Sequence, residues 1–182
     1  MLPSLLTTDN LGLAEAGVVP VPPPPRFRAP CGTIQNVEII YASYERGYGN
    51  SAAKRAGLRY EEQVQQFLAG LFPNNYQASP EVHFRDDRGW RLCIPDGVML
   101  CSDRTLVVEI KSQHMPEAWW QLKRLYEPVV AAWRPLPVQC LEVVKSFDPA
   151  MPFPCRVTLV EDLVSWISEP PTANFGVFQW KI

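Results

Sequence analysis

No apolar run approaches the roughly 18 residues that a membrane-spanning helix requires, so no transmembrane segment is expected. The start of the chain lacks the basic residues and apolar core of a secretory signal peptide, and a cytoplasmic protein is expected. Positive charge is not in excess: 17 Lys and Arg face 19 Asp and Glu, for a net charge of −2. No global field draws such a chain to DNA or anionic lipid, so nucleic-acid binding requires a local basic patch. Histidine is scarce. His83 and His114 are the only two, and neither has a partner at the spacing of a zinc site or a triad. Both are expected at the surface, His114 near a helix start and close in sequence to Lys111. A Gly-x-Ser-x-Gly elbow, a P-loop and a Gly-x-Gly-x-x-Gly turn are missing, which weighs against an esterase, an NTPase and a dinucleotide enzyme. The five cysteines are an odd number, and neither Cys93 with Cys101 nor Cys140 with Cys155 has zinc-ligand spacing. They read as reduced thiols packed as small hydrophobes.

Proline, by contrast, is abundant and concentrated. Residues 19–30 read VPVPPPPRFRAP, a stiff, extended run short of backbone donors. Residues 1–35 are expected to be an arm, either disordered or laid across the domain or a neighbouring subunit. The remaining residues, 36–182, are expected to form one domain, and an apolar content of 47% suffices for its core.

Within that domain, Tyr60, Val64, Phe67, Leu68 and Leu71 recur at the spacing of one helical face, ended by Pro73. Residues 81–84 and 90–94 read as strands joined by the turn 85–89. Residues 98–101 form a third strand, and Ser102-Asp103-Arg104 turns it into 106–111, the most β-prone run in the chain. Pro116 opens a helix that continues over 117–133, with Pro128 as a kink. Residues 138–144 read as another strand, and 157–166 as a strand leading into a short helix. This order predicts an α/β (α+β) fold, a mixed central sheet flanked by helices.

The sequence IPDGVMLCSDRTLVVEIKSQ (94–113) carries the chemistry. Strand side chains alternate, so Glu109, Lys111 and Gln113 share one face while Val108 and Ile110 share the other. If the strands pair through the turn at 102–104, Asp96 comes close to Glu109. Two adjacent carboxylates repel unless a cation lies between them. Oxygen-only ligation suits a hard divalent ion, Mg2+ or Mn2+. Lys111 is then placed to orient a water or to neutralise charge on a phosphorane-like transition state. An ordinary ion pair between Glu109 and Lys111 on a solvated edge is the plainer alternative, and Pro95-Asp96-Gly97 is also a turn signal in its own right.

Pro95-Asp96 followed by Glu109-Ile110-Lys111 resembles the PD-(D/E)xK nuclease superfamily, with its restriction enzymes and its lambda-type and RecB-type exonucleases. The resemblance spans roughly 57–133 and implies a restriction-endonuclease-like fold. It further implies Asp96, Glu109 and the Ile110 carbonyl as metal ligands, Lys111 as a catalytic residue, and Glu61 on the preceding helix as the acid that completes the site. In the RecB-like branch the following helix carries Gln and Tyr four residues apart. Here Gln121 and Tyr126 are five apart, which on a regular α-helix places them on different faces. The implied activity is hydrolysis of DNA phosphodiesters by a metal-activated water, as in the small endonucleases or exonucleases of phages and mobile elements.

A local basic patch is available for DNA: Lys54, Arg55 and Arg59 with Arg46 and Tyr48 near the first helix, and Lys123 and Arg124 on the later one. Gln113 and Gln121 are candidates for substrate contact, and Trp119 and Trp120 for stacking on bases. Two other readings stand beside the nuclease. One is a catalytically silent member of the same fold that binds DNA or supports assembly. The other is an unrelated interaction protein that grips its partner through the proline-rich arm. The arm also offers a route to a homo-oligomer.

Overall fold

Strand β6 (Thr105–Gln113) is buried on both faces from Thr105 to Ile110, as a strand covered on both sides of its sheet must be. The computed structural model, which describes residues 28–41, 51–146, 156–157, 160–168 and 174–181, places β6 third in a six-stranded mixed sheet. The order is β2 (Tyr76–Ala78), β5 (Gly97–Leu100), β6, β7 (Val138–Ser146), β9 (Phe175–Gln179) and β8 (Arg156–Val157). The β2, β5 and β6 strands pair antiparallel, whereas β6, β7, β9 and β8 run parallel. A second sheet of three antiparallel strands holds β1 (Gln35–Ile40), β3 (Glu81–Asp86) and β4 (Gly89–Cys93). The described residues thus form a mixed α/β fold with two sheets rather than the single sheet expected.

Helix α1 (Ala52–Leu71) begins at Ser51, whose hydroxyl accepts the Lys54 N–H at 3.1 Å. Its apolar stripe of Tyr60, Val64 and Leu68 packs on Leu106, Val108 and Ile110 of β6, together with Leu163 and Ile167 of α4 (Val160–Ser168). The opposite face carries Val107, covered by Trp119, Leu122, Tyr126 and Val129 and by Val82 and Phe84 of the smaller sheet. The Glu109 face is therefore core as well, where the alternation pattern suggests core only on the Val108 side.

The helix after β6 is not one kinked α-helix. It runs as α2 (Pro116–Gln121), a π-helical turn over Leu122–Tyr126, and α3 (Glu127–Trp133). Pro128 has no N–H, and in an α-helix its ring would strike the carbonyl four residues back. The wider turn before it accommodates this, and Glu127 N–H reaches back five residues to the Leu122 carbonyl.

Three further differences have local causes. The expected turn 85–89 shrinks to Asp87-Arg88, because Asp86 is buried inside the strand rather than exposed in a loop. Strand β9 has no counterpart in the expected order; its Gly176 lies under Trp166, where a Cβ would fall 2.7 Å from the indole. Residues 28–35 of the expected arm pack on the fold, while 1–27 lie outside the described residues. Arg91 donates to the Arg28 carbonyl at 3.0 Å, and Cys31 N–H donates to Asp86 Oδ2 at 3.0 Å. Among the described residues Cys93 and Cys140 are buried and Cys31 is exposed, none of them in a disulfide.

Burial works to raise the Asp86 carboxyl, but the Cys31 and Arg88 amides and the Arg88 and Arg91 guanidinium groups outweigh it and hold the group well below the carboxylate range. A depressed carboxylate stabilises the fold above its unfolded pKa and loses that contribution as pH falls toward the folded value. Asp86→Asn is therefore expected to lower the melting temperature at pH 7, with a gap to wild type that narrows as pH falls below about 4. Thermal unfolding by circular dichroism across that range checks it; a gap independent of pH contradicts this account.

Candidate active site

The site follows from sheet register. Gly97 of β5 stands opposite Val108, and the same register puts Asp96 opposite Glu109. Glu109 is in turn the parallel neighbour of Glu142 on β7. Cross-strand neighbours share a sheet face, so three carboxylates form a row across adjacent strands. Asp96 is 3% exposed, Glu109 2% and Glu142 0%. Removing a charge from water costs several kcal/mol even after relaxation, so each needs a partner.

Each has one. Asp96 Oδ2 accepts the Ile110 N–H at 2.7 Å. Glu109 Oε1 pairs with the Lys111 ammonium, one pleat along the same strand. Glu142 Oε2 lies 2.6 Å from His114 Nδ1, and its Oε1 accepts the Met115 N–H at 3.3 Å. Burial works to lower the Lys111 ammonium, but the charges of Glu109, Asp96 and Glu142 outweigh it and raise the group. Burial raises the Glu142 carboxyl; His114, the Met115 amide and Lys111 pull against it without cancelling the shift.

The main chain at Asp96 is held as tightly as its side chain. Its carbonyl accepts from Gln65 Nε2 at 2.9 Å, from Ser79 N–H at 3.1 Å and from Tyr76 OH at 3.4 Å. Ser79 has a φ of 44°, a left-handed conformation uncommon outside glycine, and its hydroxyl accepts from Gln65 at 2.8 Å. A Cβ on Gly97 would fall 2.4 Å from the Tyr76 hydroxyl, so only glycine lets β5 pass this close. Gln65 is also within 3.5 Å of Glu61 Oε1, one helical turn earlier on α1. Burial, then the charges of Asp96 and Glu61, raise the Tyr76 hydroxyl.

The five-residue spacing of Gln121 and Tyr126 takes on a different meaning here. The π-helical turn between them adds about one residue per turn, so positions five apart come into alignment. Tyr126 OH donates to the Ile94 carbonyl at 3.3 Å, two residues before Asp96. The basic residues divide. Lys54 and Arg59 on α1 are exposed, as is Gln113 at the end of β6, and Arg55 lies on the same α1 segment. Lys123 is paired with Glu127, and Arg124 lies over the rings of Trp119 and Trp120 at 5.8 and 5.7 Å. Trp119 is buried, and it meets Trp120 edge to face. Arg46 and Tyr48 lie outside the described residues.

Sequence reading missed Glu142, Gln65 and Tyr76, and for His114, though close in sequence to Lys111, it favoured a surface or helix-start position, whereas the side chain is only 10% exposed. A signal for Glu142 was present: an acid inside the apolar strand CLEVV, the same anomaly that marks Glu109 in LVVEI.

No family model matches the chain, and no curated protein matches it. Among solved structures it is similar to protein VC1899 from Vibrio cholerae, at 12% identity and a TM-score of 0.39, over 73% of this chain and 35% of that one. This likeness assigns neither fold family nor activity.

Among the described residues, no group of three or more His, Cys, Asp or Glu is disposed to hold a metal ion. Asp96 and Glu109 are two adjacent carboxylates, and Mg2+ commonly binds through one or two carboxylates while keeping several waters. Charge favours such an ion. The carboxyl groups of Asp96 and Glu109 outnumber the ammonium of Lys111 that pairs with this row.

A carboxyl raised in the folded state holds its proton to higher pH than in the unfolded chain. Its contribution to stability is thus complete below the unfolded pKa and declines as pH rises through the folded value. Glu142→Gln is expected to remove the part of the stability loss that wild type shows as pH rises above about 4.5. Parallel pH–melting curves for the two proteins would contradict that assignment.

Proposed function

We propose that this chain is a metal-dependent nuclease of the PD-(D/E)xK type that hydrolyses phosphodiester bonds of DNA. The observation that carries this reading is the placement of Asp96 opposite Glu109, with Lys111 one pleat along on the same core strand. The acid-bearing helix α1 before the hairpin and the Gln121/Tyr126 alignment after it add support. Asp96 and Glu109 would hold Mg2+ or Mn2+ with the Ile110 carbonyl, and Glu61 would complete the set directly or through water. Such an ion, when bound, neutralises phosphate charge and acidifies water.

The chain's own residues supply the rest. The Ile110 amide and the hydrogen bonds on its carbonyl keep Asp96 in place. Lys111, a cation anchored on Glu109, stabilises negative charge that develops on the phosphate as water attacks in line with the leaving 3′ oxygen. Lys54, Arg55 and Arg59, with Gln113 and Gln121, would hold the DNA backbone. Lys123 and Arg124 contribute less, because one is paired and the other stacked. A small processing nuclease of the kind that phages and mobile elements carry fits this set.

Asp96→Asn, Glu109→Gln and Lys111→Ala are each expected to lower Mg2+-dependent cleavage of plasmid or duplex DNA by about 10²-fold or more. DNA affinity in a gel-shift assay should change little. Chelator should abolish wild-type cleavage, and added Mg2+ or Mn2+ should restore it. Wild-type protein that binds DNA yet cleaves none with either ion would instead be the catalytically silent module.

A further inference from the structure

A divalent ion binds tightly only where its ligands already stand in place, because Mg2+ tolerates little departure from its preferred geometry. One side chain of α1 touches two of the ligands named above. Gln65 Nε2 lies 2.9 Å from the Asp96 carbonyl, 2.8 Å from Ser79 Oγ and 3.5 Å from Glu61 Oε1. A carbonyl only accepts, so the amide nitrogen of Gln65, not its oxygen, must face Asp96. That nitrogen carries two protons, and the two short contacts use both. Glu61, one helical turn earlier, then meets the same amide dipole at the limit of hydrogen bonding. Glu61 Oε1 and the Asp96 carbonyl can be no farther apart than the two distances laid end to end.

We infer that Gln65 is a positioning residue for the metal ligands: its amide fixes Asp96 through the main chain and holds Glu61 within reach of the same ion. This rests on the nuclease reading. Asp96 is thereby held at both ends, its Oδ2 by the Ile110 N–H at 2.7 Å and its carbonyl by Gln65. The carboxyl is two rotatable bonds from the main chain, so a peptide that cannot turn leaves it little freedom. Ser79 sets the amide in turn. Its left-handed φ of 44° aims both its N–H and its hydroxyl into the cluster, the first onto the Asp96 carbonyl at 3.1 Å and the second under Gln65. Partners behind metal ligands act in this way: they order the ligands during folding, so that the ion does not have to. Gln65 touches no substrate in this role. The Ser79 N–H and the Tyr76 hydroxyl still reach the Asp96 carbonyl when Gln65 is replaced, so the fold is expected to survive its loss.

The test is titration of the full chain with Mn2+, read by electron paramagnetic resonance of the free ion, for wild type, Asp96→Asn, Gln65→Met and Gln65→Asn, with each fold checked by thermal unfolding. Methionine matches glutamine in length without a donor, and asparagine keeps the amide one methylene short. Both Gln65 variants are expected to bind Mn2+ about tenfold more weakly than wild type. The Mn2+ concentration that half-saturates cleavage of a duplex oligonucleotide should rise by the same factor, while kcat at saturating Mn2+ and KM for DNA stay within about twofold. A plain tether between helix and sheet would instead lower the melting temperature and leave Mn2+ affinity at the wild-type value. That result in both Gln65 variants, with Asp96→Asn binding no ion, would overturn this assignment and leave the nuclease reading standing. Wild type that binds no Mn2+, or binds it no better than Asp96→Asn, would overturn both.

Discussion

A carboxylate can lie inside a sheet only where the fold itself supplies the countercharge. That constraint organises this molecule. Strand β6 needs cover on both faces to bury Leu106, Val107, Val108 and Ile110, yet it also carries Glu109. The cover excludes water from Glu109, and Lys111, two residues on, returns a charge at short range. The same demand recurs on each neighbouring strand, with Asp96 met by a main-chain amide and Glu142 by an imidazole.

The surrounding fold keeps those partners in place. Helix α1 grips β6 through Tyr60, Val64 and Leu68, and with the same turns delivers Gln65 to the Asp96 carbonyl and Glu61 to the Gln65 amide. On the other face the π-helical turn lets a Pro-bearing helix continue without a break, and it delivers Tyr126 to the Ile94 carbonyl. Packing and site geometry are thus the same contacts viewed from opposite sides. The smaller sheet closes the Val107 face, and the Asp86 cluster ties residues 28–31 to its hairpin.

Much of this was legible beforehand. Alternation placed Glu109 and Lys111 together, the turn at 102–104 implied the antiparallel hairpin, and the apolar stripe of α1 identified its buried face. Asp86 misled, because a run of charged residues reads as a loop until its guanidinium partners are known. Strand β9 was illegible for another reason: its glycine and aromatics make sense only beneath Trp166, and parallel strands leave no turn signal between them.

The sequence by itself determined which residues could carry chemistry and which local elements hold them, because strand alternation and helical periodicity depend only on near neighbours. It determined that Asp96 and Glu109 lie on one hairpin. Only tertiary structure decided that Glu142 stands beside Glu109, since parallel pairing joins strands 33 positions apart through a crossover that no local pattern encodes. It likewise decided that His114 turns toward Glu142, and that a five-residue spacing behaves as one turn. Those outcomes depend on register and on a helix distorted by Pro128, and both are settled by packing.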